Sequence, residues 1–175
     1  MIEILESRKP FAGRAFDVRQ DKIRLPGGQT TQIDIVEHVD SVGVIPLDAQ
    51  GLIWFVRQYR HPAERNLLEL PAGTLNGEEA PQAAALRETR EEIGMAAASL
   101  EEIGVFYLAP GYSTELMHVF LARELSPDPL PQDEDELLTI EKYTAAEAFN
   151  LAARGEIMDA KSLAALLLAY PLLGL

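Results

Sequence analysis

The chain has 175 residues, 47% of them hydrophobic, which is enough for one folded domain with a real core and excludes disorder as the default. Fifteen basic against 28 acidic residues leave a net charge of −13, so non-specific nucleic-acid binding is not expected. The absence of cysteine rules out disulfides, thiolate zinc sites and thiol catalysis, and suits a reducing cytoplasm.

The first residues, MIEILESRKP, place no basic region ahead of an apolar run, so a secretory leader is not expected. Residues 1–40 read as an antiparallel strand arm. Two extended runs, 14–24 and 30–37, are split by the turn signal PGG. No long linker follows, so the arm is expected to stay with the main body, residues 41–175, or to pair with another subunit. Next, SVGVIPLDAQGLIWFVRQYR predicts a hairpin with strands 42–47 and 52–57, joined through DAQG. NLLEL is a brief strand ended by Pro71.

After the loop AGTLNGEE comes a helix over about 81–93. Pro81 suits its first position, Glu78 and Glu79 suit the dipole there, and Gly94 suits the stop. Leu86 and Ile93, with Ala83 and Thr89, form the expected buried stripe. Strands follow at about 101–108 and 115–122, then the loop SPDPLPQDEDE and a last strand in LLTIEKY. Two helices, about 144–153 and 160–170, close the chain. The apolar tail SLAALLLAYPLLGL is too short to span a bilayer and reads as a docking helix. Strands and helices do not alternate, which predicts an α+β fold with a mixed sheet.

The 81–93 helix carries Glu88, Glu91 and Glu92 on nearly one face, although like charges at this spacing destabilise a helix. Arg87 is placed at i,i+4 from Glu91 and can pair with it. One reading is a solvated acidic face. The other is a hard-cation site, since carboxylate oxygens suit Mg2+ or Mn2+. A phosphate substrate would need such cations as a bridge to so acidic a chain.

The spacing Gly73, Glu79, Arg87-Glu88, Glu91-Glu92, Gly94 resembles the Nudix box, the signature of hydrolases of nucleoside diphosphates linked to another group. The one departure is Thr89, where an aliphatic residue is usual. The resemblance implies a Nudix-like α/β/α sandwich. It implies that Glu88 and Glu92 ligate the metal, that Glu91 shares them and is also a catalytic candidate, and that the Ala72 carbonyl completes the shell. It implies structural roles for Arg87, Gly73 and Gly94, and a loop-orienting or metal-network role for Glu79. The full set of box glutamates argues against a non-catalytic sensing module.

Outside the box, VRQYRHP, LELPAG, LAPGYSTELMHVFLA and the DEDE run resemble the ADP-ribose pyrophosphatase branch over about residues 35–165. That resemblance implies Mg2+-dependent hydrolysis of ADP-ribose to AMP and ribose 5-phosphate, in a homodimer whose N-terminal strands swap. Another nucleotide sugar, such as GDP-mannose, or a dinucleotide is the alternative substrate. Arg60 matches the branch's substrate-binding arginine, and Arg57 is either a second phosphate contact or a surface strand-end residue. Glu115 is a candidate for ribose hydroxyls and Tyr112 for stacking. In the acidic run, Glu134 is the candidate general base, with Glu136 its partner or a metal contact. The chain is expected to bind no nucleic acid and no membrane.

Overall fold

Ser41–Pro46 is buried at all six positions, so both faces of this strand are covered by protein. It is the fourth strand of the chain. In order, the strands are β1 (Glu3–Ala12), β2 (Asp17–Arg24), β3 (Thr30–Glu37), β4 (Ser41–Pro46), β5 (Leu52–Arg60), β6 (Arg65–Glu69), β7 (Ala72–Thr74), β8 (Met95–Tyr107), β9 (Leu116–Pro127) and β10 (Leu138–Thr144). Helix α1 (Pro81–Ile93) lies between β7 and β8, and α2 (Ala145–Ala153) and α3 (Ala160–Ala169) follow β10. The computed structural model describes residues 1–132 and 137–174.

The chain divides into two compact units. One comprises residues 1–40 with 107–116. In it β1, β2 and β3 form an antiparallel meander, and Gly28, at φ +88°, turns β2 into β3. The 107–116 segment joins the end of β3 through Val36 N–H to Tyr112 O (2.7 Å) and Thr114 N–H to Val36 O (3.0 Å).

The second unit comprises residues 41–106 and 117–175 and holds two sheets. The first is mixed, in the order β7-β4-β9-β8, with β4 parallel to β9 and antiparallel to β7. The second is antiparallel, in the order β10-β5-β6. Val42 and Val44 of β4 pack with Phe120 and Ala122 of β9 against Ala84 and Ala85 of α1. The two alanines let the helix approach the sheet closely, which brings the rest of α1 over the β7 end. Helix α3 also packs on β4 and buries Ala165, Leu166 and Ala169. Helix α2 starts with a capping box between Thr144 and Glu147.

The hairpin expected from residues 42–57 does not form. β4 and β5 belong to different sheets, and only the turn between them is bridged, at Leu47 to Ile53 and from Asp48 N–H to Leu52 O at 3.0 Å. A strand has two edges: those of β4 are taken by β7 and β9, and those of β5 by β6 and β10. The connecting turn is held by Asp48, whose carboxylate accepts from Gln50 N–H and Leu52 N–H, both at 2.9 Å, and from Trp54 Nε1 at 2.8 Å.

The expected stripe on α1 is also displaced. Its buried residues are Ala84, Ala85, Glu88, Thr89, Glu92 and Ile93, whereas Ala83 is exposed and Leu86 half-buried. Two of the box carboxylates therefore lie on the inner side of the helix and not on a solvated face. Thr89 is fully buried and donates its hydroxyl to Ala85 O at 2.7 Å, so its polar atom is satisfied within the helix.

Candidate active site

Helix α1 and the β6–β7 corner form the site. Pro81 follows an extended Ala80 and starts the helix, and Gly94 stops it in the left-handed conformation at φ +70°. Between them Glu88 and Glu92 are only 8% and 2% exposed. The Glu88 carboxylate lies directly against the Cα of Gly73: a Cβ added there would stand 2.0 Å from Glu88 Oε1. Glycine at 73 thus makes the room into which Glu88 projects. Glu92 Oε2 accepts from Ala72 N–H at 3.3 Å, so both buried carboxylates face the backbone of β7.

Arg87 ties the preceding loop to the helix. Its Nε and Nη2 hold Glu79 at 3.1 and 2.9 Å, Nη2 donates to Thr74 O at 2.9 Å, and Nη1 donates to Glu88 Oε1 at 2.6 Å and Glu91 Oε2 at 2.8 Å. These carboxylates hold the Arg87 guanidinium well above its ordinary range, Glu79 contributing most, and Arg87 in turn holds the Glu79 carboxyl below its own. The repulsion among the helix glutamates is therefore already eased by a cation of the chain itself. Glu79 does not sit on the helix dipole: α1 has no acidic residue in its first turn, and Glu79 instead takes Arg87 and Asn76 N–H.

Just ahead of β7 in the chain is Glu69, at the end of β6 and 1% exposed. Arg60 grips it with Nε at 2.9 Å and Nη2 at 2.8 Å. That grip raises the Arg60 pKa, as does the charge of the nearby Glu92. Of the box carboxylates, Glu92 is the one whose charge acts on Arg60.

Residues 37–166 match the NUDIX domain. The chain belongs to the Nudix family. It is 39% identical to the ADP-ribose pyrophosphatase of Bacillus subtilis (strain 168), over 87% of this chain and 83% of that protein. It is 36% identical to the ADP-ribose pyrophosphatase of Mycobacterium tuberculosis (strain ATCC 25618 / H37Rv), over 96% and 83%. It is 34% identical to the methanol dehydrogenase activator of Bacillus methanolicus, over 92% and 88%. A crystal structure of an ADP compounds hydrolase superposes with a TM-score of 0.90 at 24% identity, covering 99% of this chain and 94% of that one. That likeness confirms the α+β Nudix-like fold. The chain is thus a Nudix hydrolase, of a family that acts on small nucleoside diphosphates with divalent metal ions.

The donor set of this Nudix box fits a divalent ion. Glu88, Glu91 and Glu92 supply only hard carboxylate oxygens, and glycine at 73 leaves the room that the Glu88 carboxylate occupies. Among the described residues no three acidic side chains converge as a finished ion shell. Glu88 and Glu91 are turned onto Arg87, so an ion would share them with the arginine.

Arg57, on the same strand as Arg60, forms a bidentate pair with Glu141 of β10 at 2.5 and 3.1 Å. This pair holds the Glu141 carboxyl below its ordinary range. In the other unit, Tyr112 is exposed and Glu115 lies 3.8 Å from His38 Nδ1. Glu134 and Glu136 lie outside the described residues. No helix among the described residues is long and apolar enough to cross a membrane.

Sequence reasoning passed over Glu69, Lys161 and Asp159. Lys161 Nζ donates to Glu69 Oε2 at 3.1 Å and to Asp159 Oδ1 at 2.7 Å. Burial pushes the Asp159 carboxyl up, but Lys161 and Ser162 outweigh it and leave the group below its ordinary value. The one sequence signal was Glu69 itself, a charge inside the apolar run LLEL, which a buried strand carries only when it is paired.

Proposed function

We propose that this Nudix hydrolase splits the diphosphate bond of ADP-ribose, releasing AMP and ribose 5-phosphate, with Mg2+ as its ion. The observation that carries the reading is the pairing of a complete box with two relatives named ADP-ribose pyrophosphatase, at 39% and 36% identity over most of the chain. Glu88, Glu91 and Glu92, with the Ala72 carbonyl, would hold Mg2+, and Mn2+ would substitute. The ion supplies charge neutralisation at the diphosphate and helps activate water.

The chain's own residues do the rest. Arg87 keeps the Gly73–Glu79 loop on the helix, so that the carboxylates and the Ala72 carbonyl hold one arrangement. Arg60 offers the Nη that its fork on Glu69 leaves over to a phosphoryl oxygen, and Arg57, closed on Glu141, is the second candidate contact. Glu69 orients Arg60 and Glu141 orients Arg57. Glu115 would accept from ribose hydroxyls and Tyr112 would stack on the substrate. Glu134 is assigned as general base and Glu136 as its partner, from the sequence resemblance. Residues 1–40 are assigned as an arm exchanged between the subunits of a homodimer, working in the cytoplasm.

The test is one panel of nucleotides assayed with Mg2+ and the purified chain. ADP-ribose is expected to be the best substrate, with AMP as product. Turnover of GDP-mannose or a dinucleotide with none of ADP-ribose would overturn the substrate assignment.

A further inference from the structure

Two cations share one buried carboxylate just ahead of β7. Arg60 alone meets Glu69 with a full fork, 2.9 Å to Oε1 and 2.8 Å to Oε2. A fork of that kind already matches the charge and the geometry of one carboxylate. Yet Lys161 Nζ also donates to Oε2, at 3.1 Å. The lysine comes from the first turn of α3, whose N-cap is Asp159. Asp159 accepts from Ser162 N–H at 3.0 Å and Ser162 Oγ at 2.7 Å, and Ser162 Oγ accepts from Leu70 N–H at 2.8 Å. The first turn of α3 is thereby bolted to Glu69 and Leu70, which directly precede Pro71, Ala72 and Gly73.

We infer that Lys161 is a positioning residue for diphosphate binding: by sharing Glu69 with Arg60, it keeps the cluster around Arg60 from turning net negative towards an anionic substrate. The inference rests on the proposed role of Arg60 as a diphosphate contact. A one-to-one arginine–carboxylate pair is neutral as a unit and draws a phosphate weakly. Arg60, Glu69, Lys161 and Asp159 sum to zero with the lysine in place, and to one net negative charge without it. Asp159 counters Lys161, but it caps α3, where the helix N-terminus offsets part of its charge. The fork on Glu69 uses Nε and one Nη of Arg60, so the second Nη takes no part in it. The Arg60 side chain is still 37% exposed.

Steady-state kinetics with ADP-ribose on Lys161→Met, Lys161→Arg, Arg60→Met and the Arg60→Met/Lys161→Met double variant test this, with thermal unfolding alongside. Lys161→Met is expected to raise KM about tenfold with kcat within about twofold, a loss of binding and not of chemistry. Lys161→Arg should return KM to within about twofold of the parent, because it restores the charge. The double variant should bind no worse than Arg60→Met alone, since Lys161 acts through Arg60. An unchanged KM in Lys161→Met overturns the inference, as does lower thermal stability with KM unmoved, the mark of a mere strut. Full additivity in the double variant also overturns it. Should Lys161→Met fail to fold, Lys161→Gln carries the same measurement. If the parent enzyme leaves ADP-ribose intact, the substrate assignment falls, and the same KM ratio is read on whichever nucleoside diphosphate it cleaves. A parent enzyme that cleaves none overturns both.

Discussion

Gly73→Ala is the sharpest perturbation of the proposed ion cradle. Gly73 lies within β7 and pairs with Val42 of β4, so its backbone is held by the sheet and cannot retreat. The new Cβ would stand 2.0 Å from Glu88 Oε1, 2.2 Å from Cδ and 2.6 Å from Oε2. Real Cβ atoms do not come closer than 3.0 Å, so the Glu88 carboxylate must move by at least about 1 Å. It is the far end of a flexible side chain, and the fold is expected to survive. Overpacking of this kind costs about 1–3 kcal/mol. For a chain of this length that corresponds to a fall in Tm of roughly 2–12 °C. A displacement of about 1 Å at a group that holds the reacting centre is expected to lower kcat about 100-fold. The assay is steady-state hydrolysis at saturating Mg2+, beside thermal unfolding by circular dichroism. A folded Gly73→Ala enzyme with near-parental kcat would refute both the close approach to Glu88 and the role of that carboxylate.

Two further predictions concern the same face. Mg2+ at a hundred times its Kd should stabilise the chain by about 2.7 kcal/mol and raise Tm by roughly 5–11 °C. Glu92→Gln should stay folded but lose both the shift and turnover; an equal shift in that variant would remove Glu92 from the ion's ligands. In chelator-treated protein, Arg87→Met should lower stability near neutral pH by about 1.5–3 kcal/mol, through loss of charge-assisted hydrogen bonds. Arg87 lowers the Glu79 pKa from 4.5, so its contribution is full above about pH 4.5 and fades as pH falls below that. The gap in urea midpoint between parent and Arg87→Met should therefore narrow from pH 7 to pH 3.5, and a constant gap would show that Glu79 does not carry it.

Much of this molecule was legible in the residue order because its signals are local. Pro81 and Gly94 bracket α1 at both ends, since ring-fixed φ and positive φ are properties of those residues alone. The Arg87–Glu91 pair follows from i,i+4 spacing and is present at 2.8 Å. The box was readable for the same reason: its residues lie within one loop and one helix. Tertiary structure decided what depends on distant neighbours. β4 and β5 look like a hairpin until β7, β9, β6 and β10 claim their edges. Glu88 and Glu92 look solvated until Ala84 and Ala85 dock on Val42 and Val44 and turn the helix inward. Glu69 meets Lys161 across 92 residues, a contact no local pattern encodes. The sequence by itself determined the helix, its caps and its carboxylates, because bonds and periodicity act over a few residues. Which face of that helix is buried, and which cations share Glu69, was settled only by packing among strands and helices far apart in the chain.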